Sequence, residues 1–496
     1  MSRARQLFLL RFAALFVGLV LLQLPFLHAD ADGGLGFSRG PYTDEGLYSA
    51  QVRNAMVTGH LDLAESDAVL KTPLFAVGAW LALEGFGDSM GTLRAAVVLC
   101  CGLFLALMAS GNGAFSRMLR LAIPLGFLSY FPFHYGHLAL AEMPSCIAIV
   151  AALFVVHLRL QGAGAWALAA SGLLAFVAYA LKVQFVYAAV IPAVAFAAVI
   201  ALRWLSGMAV PRRAWIDVLA STAIAAAFAA LFAVVWVLPN RDLFAAVSGQ
   251  VSGHSSSLAD IPRTAIANVH EILREPGVWP LLLLVGLGMV WAAREWRAPA
   301  SDPQARLAWI GLMAPSFAWA IVEMHKLSLN YLPSRYVVSL LVALTLFGAA
   351  AICTRQRPLF KRPANLRHAA SLAVLAMAVA LNAVFYVKAL RDRRYVIDGV
   401  QTALAAEGRW RGKLAMGPWA PTLFWGTGAV TKPIWHGAYN DRDIVARFNP
   451  AAIVTEPDQQ DSSQALSADG LHLPTHPDLS LRVQSWNLQI YQWPPR

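Results

Sequence analysis

Long apolar runs, separated by short polar or basic segments, dominate the first 390 residues of the chain. Several runs reach the roughly 20 residues that a helix needs to cross a bilayer. The pattern therefore predicts a polytopic α-helical membrane protein with about 11 transmembrane helices. We place them at 7–28, 91–110, 119–136, 143–160, 165–181, 183–202, 215–238, 278–293, 307–324, 335–353 and 369–388.

The first apolar run has two interpretations. It follows Arg3 and Arg5 and precedes "HADADGG", which is similar to the cleavage site of a secretory signal peptide. The run is longer than the roughly 7–15 apolar residues of a signal-peptide core. We therefore favour an uncleaved first span over a cleaved signal.

Residues 391–496 have a different pattern. The segments "GKLAMGPW", "AAIVTEP" and "LRVQSWNLQIYQW" have the composition of strands, and 394–408 has the pattern of a helix. We predict two domains, a transmembrane domain at 1–390 and a small soluble α/β domain at 391–496. Within the first, a long loop at 29–90 contains the run Pro73–Leu83, which is too short to span and predicts an interfacial helix. A second amphipathic helix is predicted at 262–274.

Composition and charge agree with a membrane protein and argue against nucleic acid as a partner. Hydrophobic residues make up 58% of the chain and charged residues 14%, whereas soluble domains carry about 25% charged residues. The net charge is +11, but the basic residues are scattered at the ends of apolar runs. Such residues set membrane topology and do not form a nucleic-acid patch. They favour a cytoplasmic N-terminus, and an odd number of spans then places the C-terminal domain outside.

The loop at 29–90 contains the adjacent carboxylates Asp44 and Glu45 in "YTDEGLYSAQVRNA". On a helix beginning near Thr43, Asp44 shares one face with Tyr48 and Gln51. An acid at this position can cap the helix and complement its dipole. A carboxylate at the membrane–water boundary can also act as a general base on a hydroxyl.

Three basic residues are candidates for binding a phosphate. Lys71 precedes the short interfacial helix, Arg53 lies on the stripe next to Asp44, and Arg335 belongs to "HKLSLNYLPSRYVV" before a late span. A lysine near the surface often binds lipid headgroups, and the arginine segment also has the composition of an aromatic belt. The functional alternative is a phosphate site, to which arginine offers two parallel hydrogen bonds.

A second acidic feature is Glu142 in "FHYGHLALAEMPS", with His137 five residues earlier. A carboxylate at the edge of a span needs water or a partner. Glu142 and His137 are weak candidates for metal ligands because no third ligand accompanies them. The alternative is a structural hydrogen bond to another span.

These motifs together resemble a known superfamily. "TDEGLYSAQVRNAMVTGHLDL" followed by "LKTPLF" resembles the first outer loop of GT-C glycosyltransferases, in the branch of protein O-mannosyltransferases and bacterial aminoarabinose transferases. "AEMPS" and "YLPSRYVV" resemble later motifs of the same branch. Thr72 and Leu47 depart from the pattern, because a proline and an arginine usually stand there.

The resemblance implies a function and a location. Asp44 would be the catalytic base, supported by Glu45, in an inverting transfer of a sugar from a polyprenyl-phosphate donor to a hydroxyl of a lipid, glycan or protein acceptor. Lys71 and Arg335 would bind the donor phosphate, and Glu142 would match the second acidic motif. No cofactor is certain, and a divalent metal stays open. The expected location is a bacterial inner membrane, with the catalytic face in the periplasm.

Two alternatives belong to other classes. A polytopic transporter or flippase for a lipid-linked or envelope glycan would place ionisable groups near the middle of the membrane. A non-catalytic envelope assembly subunit could keep the fold without the reaction.

Overall fold

Apolar helices form most of the computed structural model, which describes residues 2–35, 39–251, 259–297, 303–353, 366–437 and 439–494. The helices up to residue 392 are, in chain order, α1 (Arg3–Gln23), α2 (Gly40–Thr58), α3 (Ala68–Lys71), α4 (Pro73–Phe86), α5 (Met90–Ala109), α6 (Ala114–Ala122), α7 (Tyr130–Tyr135), α8 (Glu142–Leu160), α9 (Trp166–Leu181), α10 (Ile191–Leu205), α11 (Arg212–Phe232), α12 (Arg241–Val251), α13 (Ile261–Arg274), α14 (Trp279–Arg297), α15 (Pro303–Glu323), α16 (Ser334–Cys353) and α17 (Leu366–Asp392).

Nine helical segments in the described part of the chain are long and apolar enough to cross a membrane. They correspond to nine of the predicted spans, which confirms a polytopic helical protein. The predicted span at 165–181 is the shorter apolar helix α9, and the predicted interfacial helix is α4, also too short to span. The predicted amphipathic helix at 262–274 is α13.

The predicted span at 119–136 is not a continuous helix, and this prediction was wrong. The segment consists of α6, a π-helical turn at Ile123–Phe127 and α7. Pro124 interrupts the helix because it has no backbone N–H. Asn382 Nδ2 donates a hydrogen bond of 2.9 Å to the carbonyl of Pro124, which satisfies an acceptor that the break exposes.

Helices α8 and α16 occupy the centre of the bundle. Helix α8 contacts α5, α9, α10, α15 and α16, and most of its side chains are buried. Helices α14 and α16 approach closely through glycines, since a Cβ added to Gly288 would lie 2.8 Å from Gly348 Cα. Small residues allow this close approach where lipid supplies no hydrophobic driving force.

The C-terminal part forms a small α/β unit, as the strand and helix patterns predict. It contains α18 (Val396–Ala406), β1 (Leu414–Met416), α19 (Ala420–Leu423), β2 (Val430–Lys432), β3 (Ala452–Thr455), α20 (Gln460–Ala468), β4 (Leu479–Val483) and β5 (Trp486–Gln492). The sheet order is β2-β1-β3-β5-β4. Strands β1, β2 and β3 run parallel, and β5 is antiparallel to β3 and β4.

The C-terminal unit packs directly on α2. Helix α19 and strand β2 both contact α2. The backbones of α2 and α19 approach closely at Gly46, because a Cβ added there would lie 2.6 Å from the backbone nitrogen of Thr422. Helix α2 is therefore enclosed between the bundle and the C-terminal sheet.

Candidate functional site

Helix α2 begins earlier than the sequence pattern predicts. Pro41 occupies its first turn and Gly59, with φ of 78°, ends it. Asp44 lies in the second turn, so it is not the residue that caps the helix. Asp44 and Tyr48 lie one turn apart on α2. Gln51 instead binds the segment before α4, since its Oε1 accepts hydrogen bonds from Ser66 Oγ at 3.0 Å and from the Val69 amide at 2.9 Å.

Asp44 forms an ion pair with Arg335, the second residue of α16. The same guanidinium lies close to the second acidic motif, with Arg335 Nε at 3.8 Å from Glu142 Oε1. Both carboxylates are buried. The structure thus brings together three of the residues that the sequence singles out: Asp44, Glu142 and Arg335.

A fourth charged residue completes this cluster. The Nζ of Lys182 contacts Glu142 Oε1 and donates to Tyr48 Oη at 3.2 Å. Only 2% of the Lys182 side chain is exposed. Lys182 adopts an extended conformation at the break between α9 and the 3-10 turn Val183–Val190. The four charges of Asp44, Glu142, Lys182 and Arg335 cancel formally, which lets them be buried together.

Sequence reasoning missed Lys182 as a site residue. It is the single residue between the predicted spans at 165–181 and 183–202. The available signal was its charge, because a lysine between two spans is costly unless it faces a partner. Aromatic and amide groups extend the cluster: the Lys182 Nζ lies 5.7 Å from the centre of the Tyr336 ring, and Gln184 Nε2 donates to Tyr336 Oη at 2.9 Å.

Two buried polar atoms in the cluster have no hydrogen-bond partner among the described residues. They are Glu142 Oε2 and Arg335 Nε. Leaving such atoms unpaired costs about 1–3 kcal/mol each. An acceptor and a donor are therefore available here for hydroxyl or phosphate groups of a substrate.

Glu45 points away from this cluster. Its carboxylate accepts from Arg94 at 2.8 and 2.5 Å and from the Ala139 amide at 2.5 Å. Arg94 also donates to the carbonyls that end the first span, including Ala29 at 2.5 Å. Both side chains are 1% exposed. This buried pair ties α2 to α5 and the end of the first span, so Glu45 supports the position of Asp44.

Lys71 lies at the end of α3 and forms an ion pair with Asp67, one turn earlier. Its side chain is 28% exposed, and neither Asp44 nor Arg335 contacts it. Tyr439 of the C-terminal unit hydrogen-bonds Asp67, and burial raises the pKa of that tyrosine. Lys71 is therefore a separate, accessible cation beside the charged cluster.

An apolar groove of about 570 Å³ begins next to Lys71. Its walls come from α2, α3, α4, α9 and the end of α11, and its side chains include Val69, Leu74, Trp80 and Phe232. Trp236 also lines the groove and donates its indole N–H to the carbonyl of Leu70 at 3.1 Å. The groove is lined almost entirely by apolar side chains, so it suits a hydrocarbon chain.

Arg53 joins α2 to the C-terminal unit. Its Nη2 donates to the carbonyls of Pro421 at 2.5 Å and Gly46 at 3.2 Å. Its guanidinium stacks over Trp425 at 4.3 Å. Burial lowers the pKa of Arg53 to about 10. We therefore leave Arg53 out of the phosphate site that the sequence suggests.

His137 lies apart from Glu142 in an aromatic cluster. Its ring stacks on Phe26 at 5.1 Å, and its Nδ1 lies 2.8 Å from Gln23 Oε1. Burial lowers the pKa of His137 well below its usual value. Glu142 contacts Lys182 and Arg335 instead, and the described residues contain no group of three metal-binding side chains.

The architecture matches solved membrane glycosyltransferases. ArnT from Cupriavidus metallidurans bound to undecaprenyl phosphate aligns over 96% of this chain and 97% of its own, at 16% identity and a TM-score of 0.56. Its apo form aligns with the same coverage and identity and a TM-score of 0.54. The chain has the GT-C fold. The resemblance seen in the sequence is therefore confirmed for the fold.

A more distant enzyme shares the same fold. The archaeal oligosaccharyltransferase AglB from Archaeoglobus fulgidus, in complex with an inhibitory peptide and a dolichol-phosphate, aligns over 90% of this chain and 69% of its own, at 12% identity and a TM-score of 0.52. No family model and no curated protein matches the sequence.

Proposed function

We propose that this protein is an integral membrane glycosyltransferase that moves a sugar from a polyprenyl-phosphate donor to an acceptor hydroxyl. The observation that carries the proposal is the buried cluster of Asp44, Glu142, Lys182 and Arg335, beside an accessible Lys71 and an apolar groove. The fold shared with ArnT bound to undecaprenyl phosphate and with AglB bound to dolichol-phosphate supports a lipid-linked donor.

In the proposed complex, the polyprenyl chain lies in the apolar groove and its phosphate meets Lys71. The sugar extends towards Asp44, and Arg335 moves from Asp44 to the phosphate. Cations placed where charge develops on a leaving group stabilise the transition state. Lys71, Lys182 and Arg335 supply this charge from the chain itself.

The chemical step is a single displacement at the anomeric carbon. The acceptor oxygen forms the new bond, the bond from the anomeric carbon to the phosphate oxygen breaks, and the acceptor proton passes to Asp44. One base on the attacking side implies inversion at that carbon. Glu142 Oε2, which has no hydrogen-bond partner among the described residues, orients a hydroxyl of the sugar or the acceptor.

We infer the orientation from the distribution of basic residues. Arg159, Arg203 and Arg213 lie at the end of the bundle opposite α2, where the positive-inside rule places the cytoplasm. The catalytic cluster then faces the outer side, which is the periplasm for a bacterial inner membrane. The C-terminal unit covers the same side.

The test compares wild type with Asp44→Asn in purified, reconstituted form. Each receives a panel of radiolabelled polyprenyl-phosphate sugars and an envelope extract as the source of acceptor. We expect transfer from one donor by wild type and a loss of about 10²–10⁴-fold in Asp44→Asn. Asp242→Asn is the matched control, since Asp242 is exposed at the start of α12.

The outcomes separate the alternatives. The anomeric configuration of the product tests inversion. Equal transfer by wild type and Asp44→Asn would remove Asp44 as the base. Absence of transfer from every donor, with folded protein, would favour the transporter or the assembly subunit.

A further inference from the structure

A second polar pocket lies at the end of the bundle opposite the catalytic cluster. It has a volume of about 130 Å³ and lies between the end of α8, the end of α10 and the start of α11. Arg159 lines it, and Glu142 lies 17 residues earlier on the same helix. At 1.5 Å per residue, about 25 Å separates the two ends. The pocket therefore belongs to the other membrane boundary.

The pocket carries an excess of positive charge. Arg159, Arg203, Arg213 and Asp217 are its charged lining residues. Arg159 pairs with Asp217 through Nη2 at 2.7 Å and Nε at 3.1 Å. Arg203 and Arg213 have no acidic partner among the described residues. Two arginine charges thus remain uncompensated in a space large enough for a phosphate group.

The two unpaired arginines are held in place by backbone carbonyls. Arg203 donates Nε at 3.1 Å and Nη2 at 2.7 Å to the carbonyl of Ala209. Arg213 Nη2 donates to the carbonyl of Ala163 at 3.1 Å, and Arg159 Nη1 donates to the same carbonyl at 2.9 Å. Arg203 Nη1 and Arg213 Nη1 have no protein acceptor in the described part of the chain. They are free to donate to an anion.

Two exposed tryptophans are sequence neighbours of the pocket-lining residues Arg203 and Ala214. Trp204, next to Arg203, is 73% exposed, and Trp215 on α11 is 55% exposed. Leu205 and Ile216 follow them and are also exposed. Tryptophans at this density mark the level of lipid headgroups. A ligand in the pocket would therefore have acyl chains beside these apolar side chains.

We propose that this pocket binds the phosphate headgroup of an anionic phospholipid, with Arg203 and Arg213 as its contacts. The site is distinct from the donor site at Lys71, because it lies at the other membrane boundary. Basic pockets between membrane helices recognise such headgroups through charge and through donors fixed in geometry. The alternative is that these arginines only set the orientation of the helices in the membrane. That alternative predicts that the protein binds no phospholipid in preference to another.

The experiment measures thermal unfolding and lipid retention of the purified full-length protein. Delipidated protein in neutral detergent is titrated with phosphatidylglycerol, phosphatidylcholine or soluble glycerol 3-phosphate, and retained lipid is counted by native mass spectrometry. The variant is Arg203→Gln/Arg213→Gln. Arg212→Gln is the matched control, since Arg212 is exposed at the start of the same helix and does not line the pocket.

We expect phosphatidylglycerol to raise the Tm of wild type and of Arg212→Gln. Native mass spectrometry should then show one bound phosphatidylglycerol per protein and no bound phosphatidylcholine. In the double variant, the apparent Kd for phosphatidylglycerol should rise about tenfold or more, because charge-assisted hydrogen bonds are lost. Lys71→Gln should keep this response, which separates it from donor binding. If the double variant does not fold, Arg213→Gln alone, at an exposed residue, provides the comparison.

Three results would overturn the proposal. Equal protection by phosphatidylcholine would show that any lipid suffices. Equal protection by glycerol 3-phosphate would identify a site for a free anion. An unchanged Kd in the arginine variants would leave the arginines as topology determinants only.

Discussion

Asp44 and Arg335 form an ion pair although 291 residues separate them in the sequence. The pair joins a helix of the loop after the first span to the start of a central span. Without substrate, each residue neutralises the other. In the proposed cycle, the donor phosphate attracts Arg335, and Asp44 is then free to accept the proton of the acceptor hydroxyl.

Arg335 should therefore matter for the chemical step. We expect Arg335→Gln to lower kcat/KM for the donor by about 10²–10³-fold, because a cation that stabilises the developing phosphate charge is lost. Arg335→Lys should retain part of the activity, since it keeps the charge but loses the planar donor geometry. Steady-state transfer assays measure both. Activity of Arg335→Gln within about twofold of wild type would contradict the role, and Arg263→Gln on exposed α13 is the control.

Lys182 should contribute both to stability and to activity. Lys182→Met leaves Glu142 without its closest partner, and breaking a buried ion pair costs about 3–5 kcal/mol. We expect a lower Tm and a large loss of transfer. The double variant Lys182→Met/Glu142→Gln should regain much of the Tm because it removes both charges. Full recovery of transfer in the double variant would show that Lys182 is only structural.

Local patterns predicted the spans and part of the site. Asp44, Glu142 and Arg335 were singled out by their charge at the edges of apolar runs and by motifs that resemble a known superfamily, and the structure brings them together. Lys182 escaped notice because a single lysine between two apolar runs has no motif. Its role depends on a break in the backbone that places its side chain beside Glu142.

Long-range contacts were outside the reach of these patterns. Arg53 is an arginine in the same loop as Asp44 and Lys71, which made it a candidate phosphate ligand. Its guanidinium instead donates to the carbonyl of Pro421, 368 residues away. The span predicted at 119–136 failed for a different reason. Its hydropathy suits a membrane helix, and hydropathy alone does not register the break at Pro124.

The pair Glu45–Arg94 should be a stability determinant. Glu45→Gln leaves the Arg94 guanidinium buried without a counter-charge, at a cost of about 3–5 kcal/mol. We expect a clear fall in Tm, measured by thermal unfolding in detergent. Glu84→Gln, at an exposed position of α4, should leave the Tm unchanged. A Tm equal to that of wild type in Glu45→Gln would contradict a structural role.

Stability should also depend on pH through Glu65. Burial raises the pKa of Glu65 to about 7, and Asn54 Nδ2 donates to its carboxyl group and, at 2.7 Å, to the carbonyl of Thr431. A raised pKa means that the folded protein favours the protonated form. Its contribution is thus fully present below pH 4.5 and is lost as the pH rises through about 7. The loss amounts to about 3 kcal/mol.

Glu65→Gln removes this dependence, because glutamine stays neutral. We expect the variant to have a higher Tm than wild type at pH 8 and an equal Tm at pH 4, measured by thermal unfolding across that range. Asp242→Asn, at an exposed carboxylate, should follow wild type. Parallel pH profiles of wild type and Glu65→Gln would rule out Glu65 as the titrating group.

The contact between α2 and the C-terminal unit should control the position of Asp44. An alanine Cβ at position 46 would lie 2.6 Å from the Thr422 nitrogen and 2.7 Å from the Pro421 carbonyl carbon. Alanine favours an isolated helix over glycine by about 1 kcal/mol, but this clash with backbone forces α2 and α19 apart. We expect Gly46→Ala to lower both the Tm and kcat, because Asp44 lies two residues away. Gly78→Ala, where a Cβ meets nothing within 4 Å on α4, should keep or raise the Tm. Wild-type kcat in Gly46→Ala would show that the C-terminal unit does not position the catalytic helix.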